Sequence, residues 1–99
     1  MSYSDLVISD IRATILRALA EDPGYSHNDI VLTDICRMMG HTVSRDAVRT
    51  QLAWLSEQGL VKTETVNDAI VVATLTDRGA DVASGAASVP GVKRPRPGM

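Results

Sequence analysis

Phenylalanine is absent from this sequence of 99 residues, and aromatic residues make up only 3% of it. A core of stacked rings is therefore excluded, and the core must be built from Leu, Ile, Val, Met and Ala. No apolar run approaches the roughly 20 residues that cross a bilayer, and the N-terminus lacks the basic and apolar regions of a secretory signal. The single cysteine, Cys36, cannot form an internal disulfide and suits a reducing compartment. These absences predict a cytoplasmic globular protein that contacts no membrane.

Net positive charge is also missing, since the formal charge of the chain is −2. Residues 1–90 carry seven basic and twelve acidic side chains, whereas residues 91–99 carry three basic and no acidic ones. Any contact with nucleic acid must therefore be local rather than general. Small residues and prolines accompany the terminal bases, so the sequence predicts a domain over residues 1–85. An extended tail with little core to bury is predicted over residues 86–99.

The motifs that carry catalysis are missing as well. No glycine-rich phosphate loop, catalytic pair of carboxylates or nucleophile motif is present, so the sequence predicts a non-enzyme without a cofactor. Cys36 falls within a helical pattern with no base nearby, which is typical of a buried, inert thiol. His27 and His41 have no third ligand near them in sequence, so the expectation is a solvent-facing or capping role and no metal site.

Helical periodicity first appears over residues 5–20. Ser4 is the predicted N-cap, and apolar side chains occupy two faces of this segment rather than one. Because so small a domain cannot cover both faces, the pattern predicts a homodimer formed through the helix Asp5–Ala20.

The next segment is open to two interpretations. One is a single helix over residues 27–39, capped by Ser26 and stopped by Gly40. The other places a short strand at Val31–Leu32 and starts a shorter helix at Thr33. The single helix is the preferred prediction.

The third helix is the best marked in the chain. Ser44 is its predicted N-cap, and Gly59 is its predicted stop, with Leu60 folding back on Leu55 in a Schellman ending. A short turn between a helix that ends at Gly40 and a well-capped helix is the helix-turn-helix layout. The apolar stripe of this helix consists of Val48, Leu52 and Leu55, and we expect Leu52, Leu55 and Leu60 to be buried.

A hairpin and a short helix complete the domain. Residues 60–66 and 69–75 are predicted strands, and Asn67-Asp68 between them suits a tight turn with left-handed angles. Thr76 is then the predicted cap of a last helix over residues 77–84. The expected fold is mainly α with a small β-hairpin wing. This is a winged helix-turn-helix with a three-helix core, a two-stranded wing and a short C-terminal helix.

The third helix also carries side chains suited to reading DNA. Its apolar stripe faces the domain, while Arg45 and Arg49 lie one turn apart on another side with Thr50 beside them. Arginine offers a fork that fits guanine or phosphate. The alternative is a solvated face in which Arg49 pairs with Asp46.

The wing and the basic tail are the other candidate DNA contacts. The wing carries one base, Lys62, and Trp54 is expected to pack against the wing or a partner subunit. The basic tail suits a phosphate backbone or a minor groove, the alternative being a disordered solubilising end. The predicted DNA-binding residues are Ser44, Arg45, Arg49, Thr50, Lys62, Lys93, Arg94 and Arg96.

Two stretches of sequence resemble known families. One part of the chain resembles the MarR-like and ArsR-like winged-helix regulators of bacteria. The resemblance lies in the run SRDAVRTQLAWLSEQGLV, the hairpin that follows it and the segment LTDRGADVA. More narrowly, most of the chain resembles a small protein family of Mu-like bacteriophages and prophages. That resemblance lies in Tyr25-x-x-Asn28, Gly40-His41, Ser44-Arg45-Asp46, Trp54-Leu55, Val89-Pro90-Gly91-Val92 and Arg94-Pro95. Unlike the metal-sensing regulators, the chain lacks a paired Cys or Cys/His cluster.

The resemblance and the third helix together favour sequence-specific binding of double-stranded DNA. The expected protein is a phage-encoded transcription regulator that acts in the cytoplasm of the bacterial host, without a small-molecule ligand. Two alternatives stay open, because a fold alone does not decide function. One is an accessory factor for packaging the phage genome, and the other is a winged-helix protein–protein interaction module that does not bind DNA.

Overall fold

The computed structural model describes residues 2–97 as four helices and one small antiparallel sheet. The sheet consists of β1 (Ser26–Asn28), β2 (Val61–Val66) and β3 (Ile70–Leu75) in the order β1-β3-β2, and β2 and β3 form the wing. This architecture confirms the expected mainly α fold with a small β wing. The helices are α1 (Tyr3–Glu21), α2 (Asp29–Met38), α3 (Arg45–Glu57) and α4 (Asp77–Ser84).

Helix α1 begins earlier than predicted, at Tyr3. Its N-cap is Ser2, whose hydroxyl accepts a hydrogen bond from the Asp5 N–H at 3.0 Å, while the Asp5 carboxylate accepts one from the Ser2 N–H. The prediction of Ser4 as the cap is wrong, because Ser4 has Val7 three residues later. Ser2 has an acid at that position and completes a capping box.

The region before α2 departs from both predicted alternatives. Residues Ser26–Asn28 form a strand that pairs with β3, so the sheet gains a third strand and Ser26 is not a helix cap. The cap is Asn28, whose side-chain oxygen accepts a hydrogen bond from the Val31 N–H at 2.8 Å. A strand of three residues is too short to show a period of two, and only its pairing with β3 defines it.

Helix α3 follows the prediction at both ends. The Ser44 hydroxyl accepts a hydrogen bond from the Ala47 N–H at 3.0 Å. At the other end, the Leu60 N–H donates to the Leu55 carbonyl at 3.0 Å, and Gly59 has a φ of 74°. The Schellman ending is therefore confirmed, and Leu52, Leu55 and Leu60 are buried as expected.

The wing and the last helix also follow local signals. Asn67 and Asp68 have φ values of 52° and 53°, which are the left-handed angles expected of this hairpin turn. The Thr76 hydroxyl accepts a hydrogen bond from the Gly79 N–H and caps α4, which ends at Gly85. Within residues 2–97, no helix has both the length and the apolar character that crossing a membrane requires.

Residues after Gly85 contribute to the core. Val89 and Val92 are only 7% and 8% exposed, and the Lys93 N–H donates to the Ser9 carbonyl of α1 at 3.2 Å. The expectation that this tail has little core to bury is therefore wrong. Helix α1 packs on α2, α3 and α4, and the tail also crosses it. The chain therefore covers most of both apolar faces of α1 itself.

Trp54 joins the tail to α3. The Arg12 guanidinium lies 3.6 Å from the centroid of the Trp54 ring and donates to the Gly91 carbonyl at 3.1 Å. Gly91 has a φ of 96°, and a Cβ added there would lie 2.8 Å from Arg12 Nη1. This contact with Arg12 and the tail was not foreseen from the sequence, and it fixes the tail against the back of α3.

Gly79 gives a test of the packing between α4 and the sheet. A Cβ at this position would lie 2.0 Å from the Leu60 carbonyl oxygen. We expect Gly79→Ala to lower the free energy of unfolding by about 1–3 kcal/mol through overpacking, although alanine normally stabilises a helix relative to glycine by roughly 0.5–1 kcal/mol. Urea unfolding followed by circular dichroism measures the change.

The neighbouring exposed position serves as the control. Ala80→Gly reports helix propensity alone and is expected to cost about 1 kcal/mol. A gain in stability for Gly79→Ala would contradict the close approach of α4 to Leu60.

Candidate nucleic-acid interface

The two arginines predicted to read DNA are both anchored to one buried carboxylate. Asp29, the first residue of α2, has a side chain that is 0% exposed, while the side chains of Arg45 and Arg49 are 41% and 37% exposed. Asp29 Oδ2 lies 2.8 Å from Arg45 Nε and 2.5 Å from Arg49 Nε. Arg49 thus pairs with Asp29 instead of Asp46, so the Arg49–Asp46 pair of the alternative interpretation is wrong.

The same group of residues reaches the wing. Nη2 of Arg45 donates to the Ala69 carbonyl at 2.5 Å, and Nη2 of Arg49 donates to the same oxygen. The Val71 N–H of β3 donates to Asp29 Oδ1 at 3.3 Å. We call Asp29, Arg45, Arg49 and the Ala69 carbonyl the Asp29 cluster, and it ties α2, α3 and the wing together.

Charge in the Asp29 cluster does not cancel. One carboxylate faces two guanidinium groups, so one positive charge is left on the half-exposed side. Within residues 2–97, no acceptor receives a hydrogen bond from Nη1 of Arg45 or Arg49. The cluster therefore presents oriented donors to solvent or to a ligand.

The pKa of Asp29 reflects these contacts. Burial by itself would raise the pKa of this carboxyl, but the hydrogen bonds from Arg45, Arg49 and the Val71 N–H outweigh it and lower the pKa to about 2. Asp29 therefore stays ionised at neutral pH although it is fully buried.

The other predicted contacts on α3 and the wing are exposed but make local interactions. Ser44 caps α3, and the Thr50 hydroxyl donates to the Asp46 carbonyl at 3.2 Å. Lys62 lies on β2 opposite Thr74. The structure thus brings Ser44, Arg45, Arg49 and Thr50 together on the first half of α3 and leaves Lys62 on the wing.

The basic tail lies on other elements. Lys93 Nζ lies 3.5 Å from Asp10 Oδ1 on α1, and Asp10 Oδ2 lies 2.7 Å from Nε2 of His41. Arg94 and Arg96 line a cleft whose other walls are α1 and α4. The tail cations are therefore not gathered with the Asp29 cluster.

Asp29 was missed as a site residue because the preferred prediction placed it in the first turn of a helix capped by Ser26, where an acid is common. A signal was present in the sequence, since Asp29 has the helical spacing of Leu32, Thr33 and Cys36, which are all buried. Cys36 itself is buried, and burial raises the pKa of its thiol to about 11, as expected of an inert cysteine.

A short turn between α2 and α3, a capped third helix and a hairpin behind it define a winged-helix domain. Two relatives identify the family within this class. The chain is 50% identical over 94 residues to gp26 of Escherichia phage Mu, covering 95% of this chain and 96% of gp26. It is 44% identical over 78 residues to a Haemophilus influenzae protein, covering 79% of this chain and 76% of that protein. The chain belongs to this Mu-like family, and no family model matches it.

Solved structures place the fold among the winged-helix regulators. A single-substitution variant of ZitR from Lactococcus lactis matches with a TM-score of 0.58 and 27% identity, over 74% of this chain. This chain covers only 46% of the ZitR chain, less than half of its length. The complex structure of hsRosR-S1 matches with a TM-score of 0.64 over 81% of this chain and 70% of that chain. Its identity is 18%, so it supports the fold alone.

The contribution of the Asp29 cluster to stability is testable by removing one charge. We expect Asp29→Asn to lower the free energy of unfolding by about 1–3 kcal/mol, because the hydrogen bonds to a charged acceptor are lost. The penalty stays moderate because both arginines are half-exposed and water can solvate them. Urea unfolding at pH 7 measures the change, and Asp34→Asn at an exposed position of α2 is the matched control.

Acid titration separates this effect from lost packing. The carboxyl has a pKa of about 2 in the folded chain and 3.8 ordinarily, so its stabilisation is fully present above about pH 4 and is lost as the pH falls through 2. The difference in free energy of unfolding between Asp29→Asn and the parent chain should therefore shrink as the pH falls from about 4 to 2. A difference that is constant from pH 7 to pH 2 would show that charge is not its cause.

Proposed function

We propose that this chain binds double-stranded DNA in a sequence-specific manner through α3 and acts as a phage-encoded transcription regulator. The observation that carries the proposal is the Asp29 cluster, in which a buried carboxylate holds two half-exposed guanidinium groups on the first half of α3. That half of the helix is the part that enters a major groove in helix-turn-helix proteins.

The cluster favours DNA because its donors are oriented before binding. Nε and Nη2 of Arg45 and Arg49 are held by Asp29 and the Ala69 carbonyl, and Nη1 of each remains to donate. Holding a side chain in place before binding reduces the entropy lost on association. A fixed guanidinium can approach guanine O6 and N7 or a phosphate oxygen.

The exposed stripe of α3 limits non-specific attraction. Thr50 and Ala53 are short and exposed, whereas Asp46 and Glu57 place a carboxylate near each end of the helix. Those carboxylates repel phosphate, so an approach is favourable only where the arginines find matching partners. We therefore expect modest affinity for random sequence.

The relatives support the regulatory part of the proposal. ZitR and hsRosR-S1 are winged-helix regulators, and gp26 belongs to a bacteriophage. A protein of this kind acts without catalysis in the cytoplasm of the bacterial host.

A homodimer through the N-terminal turn of α1 completes the proposal. The rest of α1 is largely covered by its own chain, but Tyr3 and Leu6 are 83% and 49% exposed. Two copies joined there would present two α3 helices, as needed to read two half-sites.

A protein-interaction module is the second candidate function. It is favoured by the exposed acids Asp46 and Glu57 on α3 and by Asp68 at the tip of the wing, where a DNA-gripping wing would carry bases. In that case α3 would dock on a basic protein surface instead of a duplex.

Substitution of the two arginines tests DNA recognition. We expect Arg45→Gln and Arg49→Gln to contribute unequally, and the loss of a base-reading arginine to cost roughly 1–3 kcal/mol and to relax specificity at one base pair. Selection from a random duplex library followed by fluorescence anisotropy measures both. Arg78→Gln, at an exposed position of α4, is the matched control.

Arg45→Lys and Arg49→Lys separate the effect of positive charge on DNA binding from the effect of the guanidinium shape. Each variant keeps the cation but loses the planar fork. Each variant is compared at a temperature where circular dichroism shows it folded. Absence of duplex binding by the folded parent chain at low salt would refute DNA recognition and leave the interaction module.

The proposed dimer is tested by sedimentation equilibrium at micromolar concentration. We expect the parent chain to be dimeric and Leu6→Glu to weaken the dimer by at least about tenfold, because the buried apolar contact occurs twice across a two-fold axis. Met38→Glu is the control, since Met38 is an 84% exposed apolar residue on α2. A monomeric parent chain, or dissociation caused by Met38→Glu alone, would contradict the α1 interface.

A further inference from the structure

A cleft lies on the side of the domain formed by α1, α4 and the tail. Its volume is about 510 Å³, and none of its lining residues belongs to α3 or to the wing. Three arginines line it, Arg17, Arg94 and Arg96, and Glu21 is the one acid among its lining residues. We call it the back cleft.

The tail holds two of these arginines in place. The Lys93 N–H donates to the Ser9 carbonyl at 3.2 Å, and Val92 beside it is buried. Pro95 packs on Gly85, since a Cβ added to Gly85 would lie 3.0 Å from Pro95 Cγ. The backbone that carries Arg94 and Arg96 is therefore fixed on the surface rather than trailing away from it.

The guanidinium groups of the back cleft keep most of their donors available. Within residues 2–97, neither Arg94 nor Arg96 forms an ion pair, and Arg17 donates only to the Thr14 hydroxyl at 3.5 Å. Three positive charges thus face one carboxylate in a chain whose net charge is −2. Fixed cations with unused donors form an anion-binding surface.

We infer that the back cleft is a sequence-independent site for the phosphate backbone of double-stranded DNA, separate from α3. Guanidinium forks match phosphate oxygens in pairs, and the cleft is open along one side. Its apolar lining residues are small, the alanines Ala20, Ala80 and Ala83 and the prolines Pro95 and Pro97, so the arginines are its main groups for recognising a ligand. This site rests on the proposed function only in having DNA as its ligand.

Its position gives the back cleft a distinct role. The cleft is built from α1, α4 and the tail, whereas the Asp29 cluster is built from α2, α3 and the wing. The two surfaces share no residue, so each can be changed by substitution without removing a side chain of the other. One chain would then offer DNA two separate sets of cations.

The experiment measures binding of a mixed-sequence duplex of 40 base pairs by fluorescence anisotropy across a salt series. The background is the full chain with Arg45→Gln and Arg49→Gln, which lacks the proposed α3 contacts. We expect residual binding in this background, and we expect Arg17→Gln, Arg94→Gln and Arg96→Gln together to remove it. In the otherwise unchanged chain, the same three changes should reduce the slope of log affinity against log salt by roughly 0.9 for each lost phosphate contact.

Three controls define the result. Arg78→Gln removes an arginine of α4 that does not line the back cleft and should leave the slope unchanged. The triple Arg→Lys variant keeps three cations and should keep most of the salt dependence. Arg96→Gln alone, at an exposed tail position, gives a smaller reduction in the slope should the triple variant lose its fold.

The outcomes separate the two DNA proposals. Removal of binding to this mixed-sequence duplex by the back-cleft changes, with no effect of Arg45→Gln and Arg49→Gln, supports the back cleft. Recognition by α3 is decided separately on the duplex selected from the random library, where no effect of the same two substitutions would refute it. Equal binding with and without the back-cleft changes overturns this inference whatever α3 does. Tighter binding of polyglutamate than of duplex to the back cleft also overturns it, since the ligand would then be an acidic protein segment.

Discussion

The pairing of one buried carboxylate with two guanidinium groups determines how the front of this domain is arranged. Asp29 is fully buried at the start of α2, and its charge is tolerable there only because Arg45, Arg49 and a backbone N–H of β3 donate to it. The same arginines reach the Ala69 carbonyl, so the wing is positioned by side chains of α3. The Asp29 cluster therefore fixes three things together: the orientation of α3, the position of the wing and the direction of the exposed donors.

The back of the domain is organised by the tail. A helix with two apolar faces needs two surfaces to pack against, and α1 finds the second in α4 together with Val89 and Val92. The tail thereby covers much of the apolar surface of α1 that was expected to contact a partner subunit. It also places Arg94 and Arg96 beside α1 and α4 instead of with the Asp29 cluster, so the domain has two separate basic surfaces.

Features encoded within a few residues were predictable from the sequence. The Ser44 cap, the Gly59 stop and the Asn67-Asp68 turn each depend on a local hydrogen bond or on a left-handed angle, and all three occur as expected. Features that depend on a distant partner were not. Strand β1 exists because β3 pairs with it, and Asp29 can be buried and ionised because arginines that come later in the chain donate to it. The residue pattern within a single helix or strand does not indicate a contact with a distant part of the chain.

The bond between Lys93 and Ser9 has a consequence for synthesis. The Arg12 side chain and the Gly91 carbonyl add a second long-range link, with a sequence separation of 79 residues. During translation, the N-terminal helix leaves the ribosome long before the segment that covers its second face. An apolar strip around Ala13 and Leu16 therefore stays open in the nascent chain until the tail emerges. Closure of this face of α1 therefore waits until residues 89–93 have been synthesised, and the strip is exposed to water during that interval.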